Sequence, residues 1–228
     1  MVLDQTSVSR NMMVRKYGDL PLSFEANNGH ADPAVKFFAR GPNYSLYLAA
    51  NQAMMKFRSP TSHPVLDLER RSPAANPEST IVRMKLVGGN AGARTTVLDE
   101  LPGKSNYFMG NDPKNWRTNV TNYARVKFQN VYPGIDMVYY GNQHQLEYDF
   151  QLAAGANPER IRLSFDGAER VQIDAAVGFL KIATRAGEFR QHKPDVYQQI
   201  KGARKEIACK YVMNSKREVG FEIAEYDT

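Results

Sequence analysis

The chain has 228 residues, of which 42% are hydrophobic, 11% aromatic and 24% charged, a balance that excludes a disordered or collagen-like chain and leaves room for one large or two small domains. Thirty Lys and Arg against 24 Asp and Glu give a formal charge of +6 and a pI near 9.3. The basic side chains are scattered among apolar ones, with no long basic run and no nucleic-acid motif, so the excess charge does not mark a nucleic-acid binder.

The single cysteine, Cys209, excludes an internal disulfide, and its neighbours Ile207 and Tyr211 at strand spacing point to a buried thiol rather than a nucleophile. No apolar run reaches the length of a membrane-spanning helix. Residues 1–16 are polar and aperiodic and lack the apolar core of a signal peptide. They read as a disordered tail, of a chain that either stays inside the cell or lacks its export signal.

Beyond the tail, residues 17–30 read as an extended arm ending in a turn at Asn27, Asn28 and Gly29. A strand at 35–39 turns at 41–43 into 44–57, where Leu46 and Leu48 alternate with Ser45 and Tyr47. Residues 51–57 are either the far end of that strand or a turn of helix. The segment 58–79 carries Pro60, Pro64, Pro73 and Pro77 and reads as a long loop, an insertion or lid, with a brief strand at 65–68. Strands follow at 80–87 and 95–98. The stretch 102–121 reads as mostly irregular, though it holds Tyr107, Phe108 and the only tryptophan, Trp116.

From there the pattern is regular. Ala124, Val126 and Phe128 alternate with Arg125, Lys127 and Gln129; residues 135–140 and 145–150 form a hairpin around Gly141 and Asn142. Short strands recur at 161–165, 171–173, 180–182, near Phe189, and at 196–200, 206–213 and 219–224. Strands every eight to twelve residues, with little helix, imply an all-β, antiparallel, β-sandwich-like fold. It forms one β domain over 17–228, and the irregular region near 111–122 allows a division into two packed β subdomains.

Chemistry is sparse. Glu147 and Asp149, two apart in a strand, share one face, and the preceding strand brings Asp136 and Tyr140 across to them. Such carboxylates can hold Ca²⁺ or act as an acid/base pair on a sugar. Ordinary alternation, with Lys or Arg on a neighbouring strand, explains the same acids more economically. Trp116 with Tyr107, Phe108, Tyr123, Tyr139 and Tyr140 can form a carbohydrate platform, and equally a β core with its covering loops. His30, His63, His144 and His192 fall at no metal-ligand spacing. No catalytic motif, phosphate loop or dinucleotide fingerprint is present, so no catalytic residue is assigned, and Ca²⁺ is the one ion the acids suggest.

Several stretches together resemble a known family: YGDLPLSFEANNG, VKFFARGPNYSLYL, NWRTNV, NYARVKFQNVYPGIDMVYYGNQHQLEYDF, GANPERIRLSFDGAERV and EFRQHKPDVYQ. They are similar to a bacterial domain of unknown function found ahead of SBBP (seven-bladed β-propeller) repeats in secreted or cell-surface proteins. The resemblance spans residues 17–226. His30 and Thr121 stand where it leads one to expect Gln and Pro, and the chain ends at Thr228, where propeller repeats are expected to begin. The resemblance implies an extracellular or cell-surface location and supplies no catalytic residues. Two functions follow as expectations. The first is a non-catalytic extracellular module for adhesion, assembly or carbohydrate binding, with polysaccharide or other surface proteins as partners. The alternative is a polysaccharide-acting hydrolase using paired carboxylates of the 135–150 hairpin. On either reading Asp136, Tyr140, Glu147, Asp149 and Trp116 are the candidate ligand-binding residues.

Overall fold

The computed structural model describes residues 2–5, 22–29, 31–41, 44–57, 79–108, 110–142, 145–185 and 187–227. The fold is all-β and antiparallel, an open, sandwich-like arrangement. Among the described residues there is no α-helix, and so none long and apolar enough to cross a membrane.

In chain order the strands are β1 (Val2–Gln5), β2 (Phe24–Ala26), β3 (Val35–Arg40), β4 (Tyr44–Ala49), β5 (Gln52–Phe57), β6 (Thr80–Leu86), β7 (Arg94–Tyr107) and β8 (Arg117–Tyr132). There follow β9 (Ile135–Asn142), β10 (Gln145–Leu152), β11 (Leu163–Asp166), β12 (Arg170–Ile173), β13 (Leu180–Thr184) and β14 (Gly187–Gln191). The last four are β15 (Asp195–Ile200), β16 (Ala203–Ile207), β17 (Cys209–Met213) and β18 (Glu218–Ile223). Short 3₁₀ turns at Pro113–Asn115 and Pro158–Arg160 start on Asp112 and Asn157, whose side chains each accept a backbone N–H two residues on.

Fifteen strands form one sheet in the order β16-β15-β1-β10-β9-β8-β2-β3-β4-β5-β6-β11-β18-β17, with β7 added to β8. The path folds over so that its two halves face each other. Phe37 of β3 meets Phe128 of β8 edge-on at 6.0 Å, and Phe150 of β10 meets Phe221 of β18 at 6.4 Å. The strands β12, β13 and β14 form a separate small sheet. It docks through Phe189, stacked 4.4 Å from Phe57, and through buried Gln191, which accepts the hydroxyls of Tyr148 and Tyr211. Alternation drives the burial: in β10, Leu146, Tyr148 and Phe150 go inward while Glu147, Asp149 and Gln151 stay partly wet.

Four local expectations change. Residues 95–98 and the irregular 102–121 are instead parts of one long hairpin, fourteen residues of β7 on sixteen of β8. The breakers Pro102 and Gly103 fall in a bulge, where the register slips between Glu100 and Lys104, and Pro is tolerated because β7 pairs in the sheet only with β8. Residues 52–57 form a strand of their own, paired with β4 and β6. The strand foreseen at 206–213 breaks at Ala208 into β16 and β17, which are the two ends of the sheet path. Finally, residues 2–5 of the expected tail are a strand between β10 and β15, while 6–16 lie outside the described residues. The loop 58–78 with its brief strand, the start of the arm at 17–21, the turn residues Pro42 and Asn43, and His30, His63 and His144 also lie outside them. Near 111–122, the strand β8 pairs with both β2 and β9, which come from either side of that region in the chain.

Candidate functional site

The β9–β10 hairpin forms as its sequence dictates, with Glu147 opposite Tyr140, Asp149 opposite Val138 and Gln151 opposite Asp136. The pleat therefore sets Asp136, Tyr140, Glu147 and Asp149 on one outer face, beside Arg125 and Lys127 of β8. Each acid has a bonded neighbour. Asp136 Oδ2 pairs with Lys127 Nζ at 2.7 Å, and its Oδ1 accepts the Asn130 backbone N–H at 2.8 Å. Tyr140 donates its hydroxyl to Asp149 Oδ1 at 3.0 Å, and Asn142 Nδ2 donates to Glu147 Oε1 at 2.9 Å. Beneath this face Tyr139 is fully buried, and that burial pushes its phenol well above the ordinary value.

Asp136 differs from the other acids in position. Between Phe128 and Tyr132 the β8–β9 register slips, so Gln129, Asn130 and Val131 oppose Asp136 alone. Asn130 takes a left-handed conformation, φ 53°, and Asp136 holds its amide. This bulge opens a solvent-facing depression of about 430 Å³, lined by Gln129, Asn130, Gly134, Asp136, Gln151 and Leu152. Glu147 and Asp149 are not part of its lining.

Trp116 is not brought to these residues. It lies at the tip of the β7–β8 arm, nine residues along β8 from Arg125, the neighbour of Tyr140; at roughly 3.3 Å per residue the strand contour between them is about 30 Å. Trp116 is 40% exposed and meets Phe108, 65% exposed, edge-to-face at 5.2 Å. Its indole N–H donates to the Gly110 carbonyl at 3.0 Å. The arm is tied down just below the tip, where Tyr107 donates its hydroxyl to Glu25 Oε1 of β2 at 2.5 Å and the Arg40 guanidinium lies 4.5 Å over the Tyr107 ring. Burial, followed by the Glu25 bond and charge, raises the Tyr107 phenol.

Two features escape a reading of the sequence. The three carboxamides of the depression look like ordinary wet-face residues, and only the left-handed Asn130 singles them out. Glu25 is 7% exposed, and its partner Tyr107 lies 82 residues away, a pairing no periodicity reveals. For the calcium reading, no group of three His, Cys, Asp or Glu side chains suited to a metal ion occurs among the described residues.

No curated protein and no solved structure matches the chain. A family profile described as a domain of unknown function, DUF7948, matches residues 24–228. The matched span runs from β2 to the end of the chain, so it takes in the acidic face, the depression and the arm tip. The chain belongs to the DUF7948 family.

Proposed function

We propose that the chain is a non-catalytic β-sandwich module of an exported, multidomain bacterial surface protein, placed ahead of propeller-type repeats, which serves adhesion, assembly or carbohydrate binding through the tip of its β7–β8 arm. Export and the propeller context rest on the resemblance of the stretches quoted above. The observation that carries the binding role is the Phe108–Trp116 pair, two large rings left exposed at the end of an arm none of whose fourteen β7 residues is buried. Exposed aromatics held rigidly are what sugar rings and protein partners pack against. A hydrolase reading is less well supported, because the depression is lined by a single acid, Asp136, which is paired with Lys127 and caps a bulge.

Retention of the purified chain on immobilised cell-surface polysaccharide and on whole bacterial cells tests this reading. Phe108→Ala/Trp116→Ala should lower retention by about 30-fold, the effect of losing one hot spot of roughly 2 kcal/mol. Glu147→Gln and Asp149→Asn should leave retention unchanged. Release of reducing ends by the wild-type chain, abolished by Asp136→Asn, Glu147→Gln or Asp149→Asn, would replace the module with the hydrolase.

A further inference from the structure

We propose that the depression beside Asp136 is a second binding site, separate from the arm tip, and that it takes one ring of a neutral hydroxylated ligand, a sugar unit. This rests on the reading of the chain as a binding module, and it adds a location and a ligand class.

The walls are built and braced. On one side, the carbonyls of Asn130 and Val131 in the bulge accept from Asn90, through its side-chain amide at 3.2 Å and its backbone N–H at 2.8 Å. On the other, Ala153 N–H donates to the Gly134 carbonyl at 2.9 Å, and Ala156 N–H to the Ala153 carbonyl at 3.1 Å. Gly134 has φ 72°, and a Cβ there would lie 3.1 Å from the Ala156 methyl, so this turn requires glycine. With its bulge and turn fixed by backbone bonds, the depression keeps its shape without a ligand. Its volume, about 430 Å³, falls in the range of small-molecule sites, roughly 300–1,000 Å³.

The lining selects a neutral polar occupant. Its one charged side chain, Asp136, is neutralised by Lys127 at 2.7 Å, so neither an anion nor a cation finds a counter-charge there. What remains is carboxamide. Lys127 Nζ takes the Gln151 carbonyl oxygen at 3.0 Å, which leaves the Gln151 NH₂ available. Gln129 and Asn130 side chains make no bond with a described residue. A carboxamide offers a donor and an acceptor side by side, and neighbouring ring hydroxyls each donate and accept, so the two match in pairs. Leu152, Ala153 and Gly134 supply an apolar patch for the C–H face of a ring. A peptide fits less well. Strands β8, β9 and β10 are paired in the sheet on both edges, so an extended segment cannot join as an added strand. A ligand of about a dozen non-hydrogen atoms with no aromatic ring under it binds in the millimolar range.

The test is a titration of the ¹⁵N-labelled chain with methyl α-glucoside, methyl α-mannoside and methyl β-galactoside, followed by NMR of the side-chain NH₂ groups. We expect at least one of these sugars to give saturable shifts at Gln129, Asn130 and Gln151. Gln129→Ala/Gln151→Ala should weaken binding at least tenfold, read at the remaining Asn130 NH₂ and at backbone amides of 129–136, while the rest of the amide spectrum stays folded, and the isosteric pair Gln129→Glu/Gln151→Glu, read at the same signals, should do so with less change of shape. Saturable shifts at the Trp116 indole N–H alone would support the arm tip and overturn this site. Shifts at the three amides on adding glucuronate or a glycine-rich peptide, with none for the neutral sugars, would overturn the ligand class. No saturable shift at tens of millimolar of any sugar would overturn the site itself.

Discussion

Two tyrosines with equally raised phenols should respond in opposite ways to loss of the hydroxyl. Tyr44, at the start of β4, is 8% exposed and packs on Phe57 at 6.1 Å, and its hydroxyl is buried with no hydrogen-bond partner among the described residues. Burial alone pushes it up to about 12. Tyr132 is also pushed up to about 12 by burial, but its hydroxyl lies 3.2 Å from the Val87 carbonyl and 3.1 Å from that of Arg162. A buried hydroxyl without a partner costs roughly 1–3 kcal/mol, so Tyr44→Phe should stabilise the fold by about 1 kcal/mol at pH 7. In a chain of this size that is a rise in Tm of about 2–4 °C. Tyr132→Phe removes the one hydroxyl proton that the Val87 and Arg162 carbonyls share, and the oxygen that accepts the Arg162 backbone N–H at 3.4 Å, and should destabilise by about 1.5 kcal/mol.

The pH dependence follows from the direction of the shifts. Both phenols hold their protons more tightly folded than unfolded. Their contribution is therefore intact below the ordinary value of 10 and is lost as pH rises from there toward about 12. At pH 11 an unfolded tyrosine is mostly ionised and a folded one mostly not, which removes about 1.4 kcal/mol per tyrosine from the wild type. Neither Phe variant suffers that loss at its own position. The advantage of Tyr44→Phe should thus grow to about 2.5 kcal/mol at pH 11, while the deficit of Tyr132→Phe should shrink to nearly nothing. Urea unfolding of the three chains at pH 7 and pH 11 measures all four differences. A Tyr44→Phe chain less stable than wild type at pH 7 would refute the reasoning, as would differences that do not change with pH.

Gly141→Ala should destabilise by about 1–3 kcal/mol through overpacking, because a Cβ there would lie 2.6 Å from Leu22 Cβ and 2.7 Å from its carbonyl oxygen, just ahead of β2; an unchanged urea midpoint would show that residues 22–24 do not cross β9 there. Cys209, 5% exposed and pushed up to about 12 chiefly by burial, should carry on the order of 1,000-fold less thiolate at pH 8 than in the unfolded chain, so alkylation by iodoacetamide should be limited by unfolding, and fast native labelling would contradict its burial.

The parts of the fold legible in the sequence are those set by local rules. The β9–β10 hairpin follows from Gly141, Asn142 and clean alternation, and the same alternation places Asp136, Tyr140, Glu147 and Asp149 on one face. What was hidden depends on partners distant in the chain. Pro102 and Gly103 look like breakers in isolation, yet a sixteen-residue neighbour, β8, carries β7 past them through a bulge. Residues 2–5 lack any strand pattern and are recruited by the two strands that flank them. The depression exists because three residues of β8 oppose Asp136 alone, and a register slip leaves no trace in hydrophobic periodicity. Trp116 stood out as the single tryptophan, but its nearness in sequence to the acidic hairpin did not translate into nearness in space.

That separation bears on how the two binding sites can act. Strand β8 carries both, with Trp116 just before its first residue and Gln129 and Asn130 near its end, a contour of about 45 Å at roughly 3.3 Å per residue. The tip end is not a loose extension. Asn122 of β8 bonds Ser23, Ser105 and the Gly103 carbonyl, and Tyr107 reaches Glu25, so the arm is fastened to β2 within one residue of Phe108. The strands that carry the aromatic pair are therefore anchored at its base, and the Trp116 indole N–H holds the Gly110 carbonyl at 3.0 Å, which lowers the free energy a partner at the tip must supply for ordering. The depression is braced at the opposite end by Asn90 and the Gly134 turn. Two rigid sites this far apart share no side chain and no hydrogen-bond network, so substitutions in them should act additively. Coupling between tip and depression would then require a motion of β8 itself, and that strand, paired with β7, β9 and β2, is the most heavily bonded in the sheet.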